Sequence, residues 1–434
     1  MSSRATASLI AAAVLLSVGF TVATLFGAQG RRVLLFIDFR AFYCAGTAVA
    51  SGRDPYRSEP LATCEQTSAA APFRRRGFIV PAPLPPAALG CFSLLARLPF
   101  LAAATLWAML LGANFFFLTW ACNRLSGVRA IYCFALLLPL GLVCPLQLGQ
   151  LAPFAVSFGI AAALALRSGR AELGGLLAVG TLMEPQLGIP ICATLAVCFS
   201  SARTALAFGA VIFVALGIAA LGWNANVEYV TSVLPAHARA ELAYDDQYSF
   251  AYIVRWLGAS PNASLAAGYA SYWIVCAAAV IYCAILSRGG RRADIVPFAM
   301  AAPVAAGPYL HVEHFVAMVP LALCVLATAS GILRWVCAIA SVLVAWPVKW
   351  CAQMLGLIAP PTMYPVPTAT NGALADDMWA ATIATQSSHA VFFLAKIPTW
   401  LGAWFTLASF AILAWQQRDQ SDPFAEKRYS SIGS

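Results

Sequence analysis

From Leu84 to Trp415 the chain passes from one apolar run to the next with almost no charge inside them. A run of about 20 apolar residues spans a bilayer as a helix, because lipid leaves every backbone N–H and C=O to be paired within the segment. With turns and charges as punctuation, the runs fall at 7–27, 84–96, 101–122, 130–146, 150–166, 172–199, 204–222, 265–287, 293–308, 312–329, 332–347 and 390–415. The expected fold is therefore all-α, a polytopic transmembrane helical protein of about 12 spans forming a single integral-membrane domain over 1–434. Composition excludes the alternatives. Hydrophobic residues make up 61% and charged residues 10%, whereas a soluble domain carries about 25% charged residues. Disordered chains are poor in apolar residues, so disorder is excluded as well.

Three polar stretches interrupt the runs: 28–80, 223–264 and 348–389, with a short charged tail over 416–434. Arg288, Arg291 and Arg292 form the most compact basic turn, which the positive-inside rule puts in the cytoplasm. Parity then places the three stretches outside as outer loops and the tail inside. A rival arrangement lets 84–96 fail to cross and makes 172–199 a hairpin turning at Glu184-Pro185. It obeys the charge rule better around Arg124, Arg129, Arg167 and Arg170 and leaves 28–80 outside. The basic excess of +9 is carried by Arg, since the lysines are only Lys349, Lys396 and Lys427. No nucleic-acid motif accompanies it, so anionic lipid headgroups are the expected contacts. Ten of the 13 Cys sit in or beside apolar runs, where Cys is a small hydrophobe. Cys44, Cys64 and Cys351 fall in loops.

Charge at a membrane edge is costly and marks function. In the first outer loop, Asp38-Phe39-Arg40-Ala41-Phe42-Tyr43-Cys44-Ala45-Gly46 has apolar residues at helical spacing, as in a helix lying on the membrane surface. Asp38 reads either as a general base at the water–lipid boundary or as the cap of that helix. Around it, Arg31, Arg32, Arg40 and Arg74 to Arg76 offer cations to an anionic headgroup; the plainer reading is snorkelling arginines and a solvated loop. Gly52-Arg53-Asp54-Pro55-Tyr56 reads as a turn. His311-Val312-Glu313-His314 lacks the zinc-helix spacing and shows no third ligand, so no metal is expected. His311 reads as a contact to a phosphate or acceptor, or as a satisfied imidazole.

Asp38-Phe39, Tyr43 and Ala45-Gly46, followed by Gly52-Arg53-Asp54-Pro55-Tyr56, resemble the opening signature of glycosyltransferase family 87, the polyprenyl-phosphate-mannose-dependent mannosyltransferases and relatives with the GT-C fold. Further segments keep the family's order: Pro83-Leu84-Pro85-Pro86, Gly149-Gln150-Leu151-Ala152-Pro153, Glu184-Pro185-Gln186-Leu187-Gly188, Gln247-Tyr248-Ser249 with Arg255-Trp256-Leu257-Gly258, and Pro308-Tyr309-Leu310-His311. The resemblance covers about residues 30–330. The chain departs from the pattern at Leu151 in place of Asn and near Val80 in place of Tyr. It has Glu184 in place of a Lys, and His314 where an acid is usual. If Glu184 and His314 meet, the sequence has reversed both signs of one pair.

The resemblance implies an inverting glycosyltransferase of the cell membrane. It would move a hexose, mannose foremost, from a polyprenyl-phosphate sugar to a lipid or glycan acceptor of the cell envelope, on the outer face and without a cofactor. Asp38 is the implied catalytic base. Arg32, Arg40, Tyr43, Gln150, Glu184, Gln186, Arg255, His311 and His314 are the implied substrate contacts. The competing expectations are a transporter or flippase of lipid-linked glycans, for which the sequence shows no internal repeat, and a catalytically inactive relative.

Overall fold

The computed structural model describes residues 36–68, 79–242, 244–288, 294–358, 372–382 and 391–420. The first expected span, the turn at Arg291 and Arg292, the triple Arg and the tail beyond 420 lie outside these residues. The described chain is helical, and the only β pairing within it is one bridge between Arg57 and Leu374. Five helices are long and apolar enough to cross a membrane: Phe100–Ser126, Ala130–Leu148, Ser200–Glu241, Pro261–Arg288 and Phe392–Gln416. Those at Ser200–Glu241 and Pro261–Arg288 are mostly unburied, and Phe208, Val211, Leu216, Ile274 and Ile281 point outward. Such an apolar belt suits lipid. Val312–Thr328, by contrast, is sheathed by protein, with Phe315, Val316, Ala317 and Met318 fully buried.

Two expected boundaries change. The run 172–199 is not one straight helix. It breaks at Glu184 (φ −121°, ψ 85°) into Ala171–Met183 and Pro185–Cys198, because Pro185 disfavours helical geometry in the residue before it. Cys192 Sγ lies 3.5 Å from the carbonyl of Ala178, although a continuous helix separates residues 14 apart by about 21 Å. The chain therefore folds back, as in the hairpin alternative, and each arm is shorter than about 30 Å of hydrocarbon requires. Gly188 makes the fold-back tight: a Cβ there would lie 2.7 Å from the backbone of Thr181 and Leu182. The second change is at 223–264, expected as a loop. The helix breaks at Gly222 (φ +78°), but a new helical stretch runs from there to Glu241 and another over Phe250–Trp256.

The first polar stretch forms Ile37–Ala50 and Ser58–Ser68, joined by a disulfide between Cys44 and Cys64. Sequence reading placed these two cysteines in loops and did not pair them. The expected helix at Asp38 exists, but protein rather than membrane covers it. Phe42 packs on Phe92 at 5.3 Å and Phe39 stacks on Trp107 at 5.7 Å. The Asp54 turn is present, its carboxylate accepting from the Tyr56 N–H at 2.9 Å. Arg57 then bridges Asp54 and Glu228, tying this stretch to the long helix from Ser200.

Candidate functional site

Asp38 is not a cap. The N-cap of its helix is Phe36, in left-handed geometry, and no side chain caps the end. The Asp38 carboxylate instead accepts a 2.5 Å hydrogen bond from Gln150 Nε2. The sequence around Gly149 explains the meeting. The helix Cys144–Leu148 ends at Gly149 with φ +87°, and Gly149 N–H returns to the Pro145 carbonyl. A Cβ at Gly149 would sit 2.3 Å from the Phe39 Cβ. Only glycine tolerates both conditions. Trp107 Nε1 holds the Gly149 carbonyl at 2.9 Å, and Gln150 emerges beside Asp38. Gly149→Ala is expected to lower unfolding stability by about 1–3 kcal/mol through strain and overpacking, with activity falling as Gln150 shifts. Unfolding in detergent measures the first effect, and an unchanged midpoint would refute this account of the turn.

Burial pushes the Asp38 carboxyl up to about 8, and the nearby Glu313 and Glu241 carboxylates add to the rise; the Gln150 bond and His237 oppose it. Carboxyls held near neutrality in this way suit proton transfer.

A second group comes from the hairpin and from the segment after Pro308. Gln186 Nε2 donates to Glu184 Oε2 at 2.6 Å and lies 2.8 Å from His314 Nε2. Glu184 and His314 are themselves 3.5 Å apart. The reversed pair imagined from sequence therefore meets, with the Gln186 amide between its members. Tyr272 fixes this turn by donating to the Gln186 carbonyl at 3.1 Å. Glu313, fully buried, approaches His314 Nδ1 at 3.7 Å. Among the described residues, Glu313 Oε1 and Gln186 Oε1 have no hydrogen-bond partner. Coupling between Glu184→Gln and His314→Gln should reach about 0.5–3 kcal/mol in a double-mutant cycle, read as unfolding stability or as turnover. Strict additivity would dissolve the pair.

The third group was not legible as a site in the sequence. His237 and Glu241 lie four residues apart on one face of Leu234–Glu241. Asp376 Oδ1 accepts from His237 Nδ1 at 2.8 Å, and Trp379 Nε1 donates to Glu241 Oε1 at 2.7 Å. Gln247 Nε2 donates to Glu241 Oε2 at 2.8 Å and lies 3.1 Å from His311 Nε2, while its Oε1 accepts from Leu310 N–H at 2.7 Å. Burial, together with the neighbouring His314 and His237, keeps His311 well below the ordinary imidazole range. The His311 ring is 6.1 Å from that of His314 and 6.4 Å from that of His237, so it links the second and third groups. The i,i+4 spacing of His237 and Glu241 was the available signal; the partners from 376–379 had none.

The other sequence candidates lie elsewhere. Arg40 is buried against Glu65, 3.9 Å from its Oε2, and is not presented to a phosphate. The Glu65 carboxylate also accepts from the Val80 N–H, so the pair ties Ile37–Ala50 to the segment that leads into Pro86–Leu95. Tyr43 donates to the Leu98 carbonyl at 2.9 Å and packs edge-on against Phe100. Arg255 donates to the Ala259 carbonyl at 2.8 Å, closing the end of its own helix. These three are structural fastenings. Arg32 lies outside the described residues.

The expectation of no metal rested on the His311–His314 spacing. His314 in fact turns to Glu184 and Gln186, and a different trio, His237, Glu241 and His311, brings its ligand atoms within 4.8 Å of one another. Comparison with protein-family models, with characterised proteins and with solved structures returns no match.

Proposed function

We propose that the chain is an integral-membrane glycosyltransferase that uses a polyprenyl-phosphate sugar as donor. The observation that carries this reading is that Asp38, paired with Gln150, lies near enough to Glu313 and Glu241 to feel their charge, and so beside the group of Glu184, Gln186, His311 and His314. Asp38, Gln150, Glu184 with Gln186, and His311 with His314 come from four separated segments, and the 2.5 Å Asp38–Gln150 bond and the Glu184–Gln186–His314 contact are their closest meetings. The arrangement is rich in acceptors. Asp38, Glu184, Glu241, Glu313 and Asp376 supply carboxylates, and two buried acceptor oxygens lack donors. A polyhydroxylated sugar supplies the O–H donors that such a lining wants.

In this reading the acceptor hydroxyl attacks the anomeric carbon, the bond from that carbon to the phosphate oxygen breaks, and polyprenyl phosphate leaves. Asp38 takes the hydroxyl proton, with its raised carboxyl poised near neutral pH. Displacement from the opposite face inverts the anomeric configuration. A GT-C-like arrangement of about 12 spans, with the first loop on the outer face of the cell membrane, belongs to the same proposal. The Cys44–Cys64 disulfide supports that orientation, since such bonds persist in oxidising compartments.

The test incubates purified protein with polyprenyl-phosphate hexoses or pentoses, lipid acceptors and a cell extract. A mass increase of one sugar on an acceptor, absent with Asp38→Asn, supports the reading. Equal conversion by the Asp38→Asn protein removes Asp38 from the mechanism, and no transfer from any such donor overturns the assignment. Translocation of an intact lipid-linked glycan in vesicles would favour a transporter instead.

A further inference from the structure

The carboxylates and imidazoles described above leave one question open in chemical terms: what supplies positive charge. The partners of Glu184, Glu241 and Asp376 are imidazoles, amides and an indole. Both described lysines are committed to Asp245 and Asp246, and Arg40 is committed to Glu65.

We propose that His237, Glu241 and His311 bind one divalent transition-metal ion of the zinc type, with a fourth position open to water or to an anionic oxygen. Two imidazoles and one carboxylate form a known catalytic ligand set for zinc. His311 Nε2 and Glu241 Oε2 are 3.4 Å apart. Ligands at about 2.0–2.1 Å from a tetrahedral centre are separated by about 3.3–3.4 Å, so this edge of the polyhedron is already the right length. All three ligand atoms lie within 4.8 Å of one another, and closing the remaining edges needs only small rotations.

The supporting residues match as well. Metal-binding imidazoles commonly hand their second nitrogen to a carboxylate, which fixes tautomer and ring orientation. Asp376 does this for His237 at Nδ1, leaving Nε2 for the ion. Trp379 takes up Glu241 Oε1, leaving Oε2 on the His311 side. Gln247 Nε2 presents the positive end of its amide to the same two atoms. Ligation replaces those two contacts, while Gln247 Oε1 stays on the Leu310 N–H. His237 and Glu241 are buried and His311 is partly exposed, so the open position lies on the His311 side. A compartment that keeps Cys44–Cys64 oxidised favours a redox-inert ion over ferrous iron. Resting on the transferase reading, the open position would take a phosphate oxygen of the donor; the binding site itself does not depend on that reading.

The experiment uses full-length protein in detergent, stripped with a chelator and dialysed. Zn²⁺ is titrated against a competing chromophoric chelator, bound metal is counted by mass spectrometry, and Co²⁺ is added separately for its visible bands. Wild type should hold one Zn²⁺ per chain and give intense tetrahedral Co²⁺ bands. Glu241→Gln and His311→Asn should lose the ion. Asp376→Asn should bind about 10–100-fold more weakly, because it acts only through His237. Asp38→Asn should bind fully, so loss of transfer and loss of metal are separable. His311 is the least buried ligand, which makes its replacement the variant least tied to folding; the metal-free thermal midpoint of each variant checks this directly. Sub-stoichiometric zinc on wild type, or equal zinc on wild type, Glu241→Gln and His311→Asn, overturns the site, whether or not sugar transfer is found.

Discussion

Asp38→Asn should lower turnover by roughly two orders of magnitude or more while the protein folds and binds donor as before. A positioned side chain that moves a proton contributes about 10²–10⁴-fold. Asn keeps the shape and one acceptor oxygen, so it still receives the Gln150 N–H, but it cannot take the acceptor's proton. Asn and Asp cap helices about equally well, and Asp38 does not cap, so no stability change through the helix end is expected. Asp54→Asn is the control, because Asp54 holds the Tyr56 N–H and Arg57. A substitution at Asp54 that abolishes turnover, together with a nearly silent Asp38→Asn, would move the base elsewhere.

On the transferase reading, the same residue should set the pH profile. Its carboxyl is raised to about 8, chiefly by burial and then by Glu313, so near pH 7 most of it carries a proton. A base must be ionised to act. The wild-type kcat/KM should therefore climb as pH rises toward 8 and level off above it, since that ratio reports ionisations of the free enzyme. A general acid would give the opposite slope. Gln150→Leu removes the N–H that favours the charged form and should move the rise to higher pH. A profile flat from pH 6 to 9 in the wild type would exclude Asp38 as the titrating base.

Much of this geometry was legible in one sequence, and the reasons differ by residue. The apolar runs declared a helical membrane protein because burying a helix in lipid needs little more than length and hydropathy. Asp38, Gln150, Glu184, Gln186, His311 and His314 were singled out by segments that resemble those of glycosyltransferase family 87; what spacing itself carried is the turns beside them, at Gly149, Pro185 and Pro308. Those turns are local, so sequence spacing carries them. For Arg40, Tyr43 and Arg255 the structure adds protein partners that the sequence did not show. Each lies within a recognisable segment; the partners of Arg40 and Tyr43, Glu65 and Leu98, are set by tertiary packing, whereas that of Arg255, Ala259, is the end of its own helix. His237 and Glu241 sat in a stretch expected to be a loop, and their i,i+4 relation acquires meaning only when helix is seen to resume after the break at Gly222 and run to Glu241. The Cys44–Cys64 bond was hidden likewise, since the two cysteines meet only once Ile37–Ala50 and Ser58–Ser68 lie side by side.

Lys349→Met should be the most destabilising single change outside the candidate site, at about 3–5 kcal/mol, the usual cost of stripping one partner from a buried ion pair. The Lys349 ammonium is 1% exposed and spends all three donors, on the Asp245 carbonyl at 2.5 Å, Asp245 Oδ2 at 2.8 Å and Asp246 Oδ1 at 2.6 Å. Lys396 joins from the last long helix. It donates to the Gln247 carbonyl at 3.0 Å and lies 3.8 Å from the centre of the Tyr252 ring. Two of the chain's three lysines thus clamp the segment 245–247 to the C-terminal part of the chain. That clamp reaches the candidate site, because Gln247 holds Glu241 and the Leu310 N–H. With Met at 349, Asp246 loses its ammonium partner, and Asp245 keeps only Lys396, 3.6 Å away. Both unfolding stability and the alignment of Glu241 with His311 should then suffer, and zinc affinity should drop with them. Adding Asp246→Asn to Lys349→Met removes the uncompensated charge, leaves Asp245 to Lys396, and should return a large part of the stability. Equilibrium unfolding in detergent measures both steps. If the single variant stays within about 1 kcal/mol of wild type, or the double variant is no more stable than the single, the clamp is not an ion pair that holds this part of the fold.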